Sequence, residues 1–244
     1  MNIFVSCVMA TKNRPQFLRQ ALRYFQRQSH TASELIVVDD GDVSAEQFCA
    51  GLERVRYVRC ERPTSQGQKL NLAVELAQGN LIQKLDDDDY YHPDFLKRAV
   101  THFPEENAGQ TLLSWDCFLI LLTHETYLRY SGHGWTIGNT FLFTRQLWER
   151  KPFRDIQRGV DSWFLSDHRP PIVRVCAHEH CIYVRHGGNT WSTMRKGGAT
   201  DEYFARFPVY RKSLEAVIGG EDAAFYRALA AGIQNNRARR GAGE

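Results

Sequence analysis

Apolar positions along the first hundred residues switch repeatedly between a strand-like run and a helical stripe. Ile3 to Met9 is a β-rich apolar run. From Pro15 onward, Phe17, Leu18, Ala21, Leu22 and Phe25 fall on one side of an amphipathic helix, and Pro15 suits its first turn. Further on, Leu35–Val38 predicts a strand, Ala45–Leu52 a helix-like stretch, and Val55–Val58 a short strand. Leu70, Ala73, Val74 and Ala77 form another helical stripe, with Gly79 expected as the residue that closes it. A strand at Leu81–Leu85 then runs straight into Asp86, Asp87, Asp88 and Asp89. Strands alternating with helices predict an α/β fold with a doubly wound, mostly parallel sheet flanked by helices.

Beyond about residue 104 the order loosens. Strands are expected at Thr111–Ser114, Thr140–Phe143, Val173–Cys176 and Cys181–Val184, with an aromatic, glycine-containing segment at Gly132–Asn139. Glu202–Val217 and Asp222–Ile233 read as helices, and Asn235–Glu244 as a frayed, flexible tail. No internal repeat or linker composition interrupts the chain.

Composition narrows the class. The chain has 244 residues, 43% hydrophobic and 24% charged, long enough to bury a core without a staple. A net charge of +3 gives no electrostatic case for dedicated nucleic-acid binding. The longest strongly apolar stretch, Cys117 to Leu122, is far short of the roughly 20 residues that span a bilayer. Residues 1–7 lack the basic region and apolar core of a secretory leader. Six cysteines show no disulfide-scaffold spacing. The expectation is a soluble, cytoplasmic protein that meets any lipid-linked partner at the inner membrane surface.

Ligands of doubly wound sheets bind beyond the carboxyl ends of the strands. Here those ends read Ala10-Thr11-Lys12-Asn13-Arg14-Pro15, then Asp39-Asp40-Gly41, then the four aspartates. Consecutive carboxylates repel one another and are poor strand formers, so they cost stability unless neutralised. A solvated acidic turn is the plain alternative to a site for a hard divalent cation, Mn²⁺ or Mg²⁺, shared with phosphate. Alternation in an extended segment puts two of the carboxylates on one side.

Four segments in series carry a specific resemblance: Val8–Pro15, Glu34–Gly41, Asn71–Gly79 and Leu85–Pro93. Over residues 3–96 the chain resembles an inverting family 2 glycosyltransferase of GT-A fold. The resemblance implies a nucleotide-sugar-binding half at 1–104 and an acceptor-binding, catalytic half at 105–234. It also implies a role for each matching position. Ala10, Thr11, Lys12, Asn13 and Asp40 would hold the nucleotide base, although Lys12 stands where the family commonly has Tyr. Asp86 to Asp88 would be the Asp-x-Asp element, with Asp88 the direct metal ligand and Asp86 or Asp87 near the ribose. Lys69, just before the helical stripe, could reach a phosphate or simply be solvated.

Phe153–Trp163 resembles the family segment that supplies the catalytic base. Val160 replaces its usual Glu, which leaves Asp161 for the role and Asp155 as the fallback; a helix cap is the structural alternative for Asp161. Tyr183–Trp191 resembles the segment after the last strand, where His186 would be a third metal ligand. Trp115, Asp116 and Trp135 could line a sugar or acceptor pocket, although core packing is the commoner explanation for a tryptophan, at least for Trp115. The string Cys176-Ala177-His178-Glu179-His180-Cys181 contains zinc-ligand types, but in no usual zinc spacing. The implied reaction is transfer from a nucleotide-diphospho-sugar, with UDP the commonest donor nucleotide, to a saccharide, lipid-linked or small-molecule acceptor. Two rivals remain open. A nucleotidyltransferase on a similar fold would want a glycine-rich loop after the first strand, which Ala10–Pro15 lacks. A non-catalytic nucleotide-sugar or cation-binding module would not need Asp161.

Overall fold

The computed structural model describes residues 3–189 and 201–241, with side chains through residue 232. Its first half alternates strand and helix: β1 (Val5–Thr11), α1 (Pro15–Gln26), β2 (Ser33–Asp39), α2 (Glu46–Cys49), β3 (Val55–Arg59), α3 (Gln66–Leu76) and β4 (Leu81–Lys84). β1 pairs in parallel with β2 on one side and β4 on the other. Both faces of this sheet are covered, which is why its strands read as continuous apolar runs. Val5, Cys7 and Met9 of β1 join the core that includes Leu18 and Leu22 of α1; Val8 points the other way, to Leu70 and Val74 of α3. Fully burying a large apolar side chain contributes about 1.5–3 kcal/mol. Pro15 sits in the first turn of α1, and Ser65 caps α3 by accepting from the Gln68 N–H at 3.1 Å.

The second half completes this sheet and builds another. The elements are β5 (Tyr90–Tyr91), α4 (Phe95–His102), β6 (Leu112–Trp115), β7 (Leu119–Leu122), β8 (Tyr127–Tyr130), β9 (Leu142–Thr144), α5 (Arg145–Arg150) and α6 (Val160–His168). They continue with β10 (Ile172–Val175), β11 (Cys181–Arg185), α7 (Asp201–Phe204), β12 (Val209–Ser213), α8 (Leu214–Ile218) and α9 (Gly220–Gly241). A seven-stranded sheet runs β10-β6-β9-β4-β1-β2-β3, with only β9 antiparallel to its neighbours. A five-stranded sheet runs β12-β8-β7-β11-β5. The mostly parallel α/β architecture is the expected one; the second sheet was not anticipated.

Several expectations are corrected. Glu202–Val217 is not one helix but α7, β12 and α8. Backbone helix α9 runs through Gly241, into the stretch expected to be a frayed tail, while residues 242–244 lie outside the described residues. Gly79 does not close α3 in a left-handed turn. It is instead where the chain grazes β1: a Cβ there would meet the Phe4 carbonyl oxygen at 2.8 Å and Ser6 Oγ at 3.0 Å. Among the described residues no helix is long and apolar enough to cross a membrane.

Candidate active site

β4 delivers the four aspartates to the junction of the two sheets, and the pleat sorts them into two pairs. Asp86 and Asp88 line a cavity of about 370 Å³. Asp87 and Asp89 turn into protein. Asp87 accepts from Thr11 Oγ1 at 2.7 Å and from Arg14 Nη1 at 3.0 Å. Asp89 is buried and accepts from Asn139 Nδ2 at 2.5 Å and from the Val184 N–H at 2.9 Å. Burial, then the charges of Asp88 and Asp86, raise the Asp89 pKa well above the carboxylate range. Burial and the charge of Asp88 push Asp87 up to about 6.

Asp88 behaves differently. Burial would raise its pKa, but the hydrogen bond from His186 and the charge of Arg14 more than offset that and hold it below the usual range. Its Oδ2 lies 2.9 Å from Arg14 Nη1, 3.0 Å from His186 Nε2 and 3.3 Å from Asn189 Nδ2. Donor oxygens of Asp86, Asp88 and Asp89 all fall within 4.8 Å of one another. Two cavity-facing carboxylates with an imidazole beside them make a mainly oxygen donor set that fits a hard divalent cation. Asp89, with both oxygens engaged in the interior, fits a structural role better than a ligand's.

The same cavity is lined by Asp161, in the first turn of α6, where Gly159 rather than Asp161 is the N-cap and no side-chain cap bond is made. Lys84, the last residue of β4, is completely buried. Its ammonium donates to Asp86 Oδ1 at 2.6 Å and lies 3.3 Å from Asp161 Oδ1. Burial opposes the charged lysine, yet Asp161 and Asp86 together raise its pKa. Asp161 Oδ1 is buried, ion-paired to Lys84, and without a well-directed hydrogen bond. The main chain at Gly138 passes directly behind this carboxylate: a Cβ there would stand 2.0 Å from Asp161 Oδ2 and 2.2 Å from its Cγ.

The nucleotide-side residues form a tight web at the ends of β1 and β2. Asp40 accepts from Lys69 Nζ at 2.5 Å, Lys12 Nζ at 3.1 Å and the Thr64 N–H at 3.0 Å. Burial would raise Asp40, but these donors bring it below the ordinary carboxylate value. Asn13 exchanges two hydrogen bonds with Asp42, and Ala10 sits half-buried at the strand end. Lys69 does not project toward a phosphate. It is 3% exposed, and its ammonium is spent on Asp40 and the Thr11 carbonyl.

Other expectations are redirected. Trp115 is fully buried, stacked on Phe95 with its indole N–H donated to the Ala177 carbonyl, so it is core rather than pocket. Asp116 does not line the cavity either; it accepts from the Gly134 N–H and pairs with His133. Trp135 does line it. Asp155 is exposed and accepts from Ser65 Oγ and Gln68 Nε2 near the start of α3, outside the cavity lining. Four participants had no role assigned from sequence: Arg14, Lys84, Asn139 and Asn189. Asn139 Oδ1 is a buried acceptor without a partner among the described residues, on a side chain that lines the cavity. Arg14 directly before a helix-starting proline, and Lys84 directly before four acids, were the available signals.

A mostly parallel sheet whose strand ends present an Asp-x-Asp element opposite a further carboxylate is the GT-A type of α/β glycosyltransferase fold. The chain belongs to glycosyl transferase family 2, whose family model matches residues 6–158. Among similar proteins, WcaA of Escherichia coli is 33% identical over 106 residues, covering 41% of this chain and 38% of WcaA. The uncharacterized glycosyltransferase MJ1057 of Methanocaldococcus jannaschii is 29% identical over 122 residues, covering 47% of this chain and 42% of that protein. The chain thus matches well under half the length of either relative. In fold it is similar to S. aureus TarS, residues 1–349 in complex with UDP-GlcNAc. The TM-score is 0.59 at 16% identity, covering 80% of this chain and 62% of that 1–349 chain.

Proposed function

We propose that this protein is a metal-dependent, inverting glycosyltransferase. It moves a sugar from a nucleoside diphosphate, uridine by preference, onto an acceptor hydroxyl in a single displacement. The observation that carries the reading is the ammonium of Lys84, which touches Asp86 and Asp161 together and so ties an Asp-x-Asp element to a carboxylate across one cavity. Uridine is favoured because TarS, of like fold, has been solved with UDP and with UDP-GlcNAc.

In this reading residues 1–104 bind the donor, with Ala10 to Asn13 and Asp40 around the base and Asp87 toward the ribose. Residues 105–234 receive the acceptor, with Trp135 offering an aromatic face. Asp86, Asp88 and His186 would hold the cation, which supplies positive charge against the diphosphate's own. Asp161 takes the proton of the acceptor hydroxyl while that oxygen bonds to the anomeric carbon and the bond to the diphosphate breaks on the opposite face. The anomeric centre inverts, and no covalent enzyme intermediate forms. Lys84, ion-paired to Asp161 at 3.3 Å, holds the carboxylate in place.

The test is calorimetric titration of UDP with and without Mn²⁺, beside transfer assays on a panel of nucleotide sugars. Neighbouring carboxylates repel a diphosphate unless a cation intervenes, so EDTA should lower UDP affinity by at least about tenfold, or about 1.4 kcal/mol. Asp88→Ala should do the same even with Mn²⁺ present. Undiminished UDP binding in EDTA would overturn the cation assignment.

Gly138→Ala probes the other end of the cavity. Because an added methyl must displace the whole Asp161 side chain, transfer should fall at least about tenfold while UDP affinity holds. Equal transfer by the variant would show that the position of Asp161 does not matter.

A further inference from the structure

The register of two neighbouring strands brings sulfur and imidazole together at a point that the proposed reaction does not use. β6 and β10 run in parallel with Trp115 opposite Val175, so the residues just beyond their carboxyl ends emerge side by side. Cys117 and Cys176 meet there with sulfurs 3.6 Å apart. The chain then turns through His178–His180, and a ring nitrogen of His178 lies within 4.8 Å of both sulfurs. Two tetrahedral metal–sulfur bonds of about 2.3 Å place their sulfurs about 3.8 Å apart, whereas a disulfide needs about 2.05 Å.

From this geometry we infer that Cys117, Cys176 and His178 form a binding site for a thiophilic divalent ion, zinc in the first instance. A hydrogen-bond relay can set the tautomer of the imidazole. Tyr210 donates its hydroxyl proton to Glu179 at 2.5 Å, and the same oxygen lies 2.9 Å from His178 Nε2. An oxygen that gives its proton to Glu179 accepts from His178, which puts the histidine proton on Nε2 and leaves the Nδ1 lone pair for a ligand. Lys212 pairs with Glu179 and keeps it ionised. Binding releases the two thiol protons to solvent, so one divalent ion with two thiolates and a neutral imidazole carries no net charge. The fourth position stays open to water beside the exposed Cys176.

The site lies behind the cavity wall. Phe118, next in chain to Cys117, packs edge-on against Trp135 at 5.5 Å, and both line the cavity. A metal there would clip the ends of β6 and β10 together and stiffen that wall.

The experiment measures metal in protein purified under reductant from zinc-supplemented medium, without chelator. Wild type and Asp88→Ala should carry stoichiometric zinc, and cobalt exchanged into either should show sulfur-to-cobalt charge-transfer absorption. Cys176→Ser and His178→Ala alter exposed or half-buried positions rather than the buried Cys117. Both should lose the zinc and the absorption, and Tyr210→Phe should weaken zinc affinity about 10–100-fold. The inference fails if wild type holds no zinc above background, or if Cys176→Ser keeps it. It fails equally if Cys117 and Cys176 are recovered joined as a disulfide.

Discussion

Asp161→Asn should cut transfer to an acceptor about 10²–10⁴-fold, the usual contribution of a general base, with donor and cation affinity unchanged. The separation follows from where the carboxylate sits. Asp161 lines the cavity from α6, with Asp86 and Asp88 in the same lining, and an amide of the same shape keeps the packing against Gly138. The ability to take a proton is lost, together with one of the two counter-charges of Lys84. Steady-state transfer and calorimetry on the same preparations separate this outcome from Asp88→Ala, which should lose binding and rate together. Hydrolysis of the donor by water should fall less, since water can pass its proton to solvent. If Asp161→Asn retains more than about a tenth of wild-type transfer, the base lies elsewhere. Asp155 would not be the substitute, because its oxygens are committed to Ser65 and Gln68.

The second large effect is on stability. Lys84 is fully buried and its charge is answered by two carboxylates, each about a third exposed at 31% and 33%. Either one alone can still neutralise the ammonium, so Asp86→Asn and Asp161→Asn should each cost about 1 kcal/mol. The double variant leaves a buried cation without a counter-charge, which costs about 3–5 kcal/mol in comparable cases. Solvent reaching the carboxylates argues for the lower end. For a chain of this size that is a melting temperature lower by roughly 6–12 °C. Adding Lys84→Met to the double variant should recover much of the loss, since the unpaired charge is gone. Strictly additive single effects in this cycle would mean that the two aspartates do not share Lys84.

The parts of the fold with strong periodicity were legible. The stripe Phe17, Leu18, Ala21, Leu22, Phe25 is buried as α1, and the runs around Val5–Met9 and Leu35–Val38 are central strands. The Asp-x-Asp pair was readable because alternation in an extended segment is a rule of geometry, and His186 because its neighbours matched a family segment. The second sheet was not. β5, β7 and β8 are two to four residues long, too short for a period to emerge, and their partners lie far away in sequence. Glu202–Val217 read as helix because its apolar spacing suits one, yet residues 209–213 pair with β8 and the tertiary contact wins. Trp115 could be read as a sugar platform or, more commonly for a tryptophan, as core, and the structure gives core. Lys84 was hidden for the opposite reason: a lysine in a strand reads as exposed, and the two acids that justify its burial become neighbours only on folding.

Asp89 has a mechanical consequence. The run 86–89 leaves β4 in one sheet and enters β5 in the other, and Asp89 is pinned to the Val184 N–H of β11 and to Asn139. The seam between the sheets is therefore stitched at the same four residues that present Asp86 and Asp88 to the cavity. Any rocking of one sheet against the other would have its fulcrum at this seam, where displacement would be least. Breathing of the cavity would thus belong to the α6 and Trp135 walls, while the carboxylate pair keeps its spacing through the cycle.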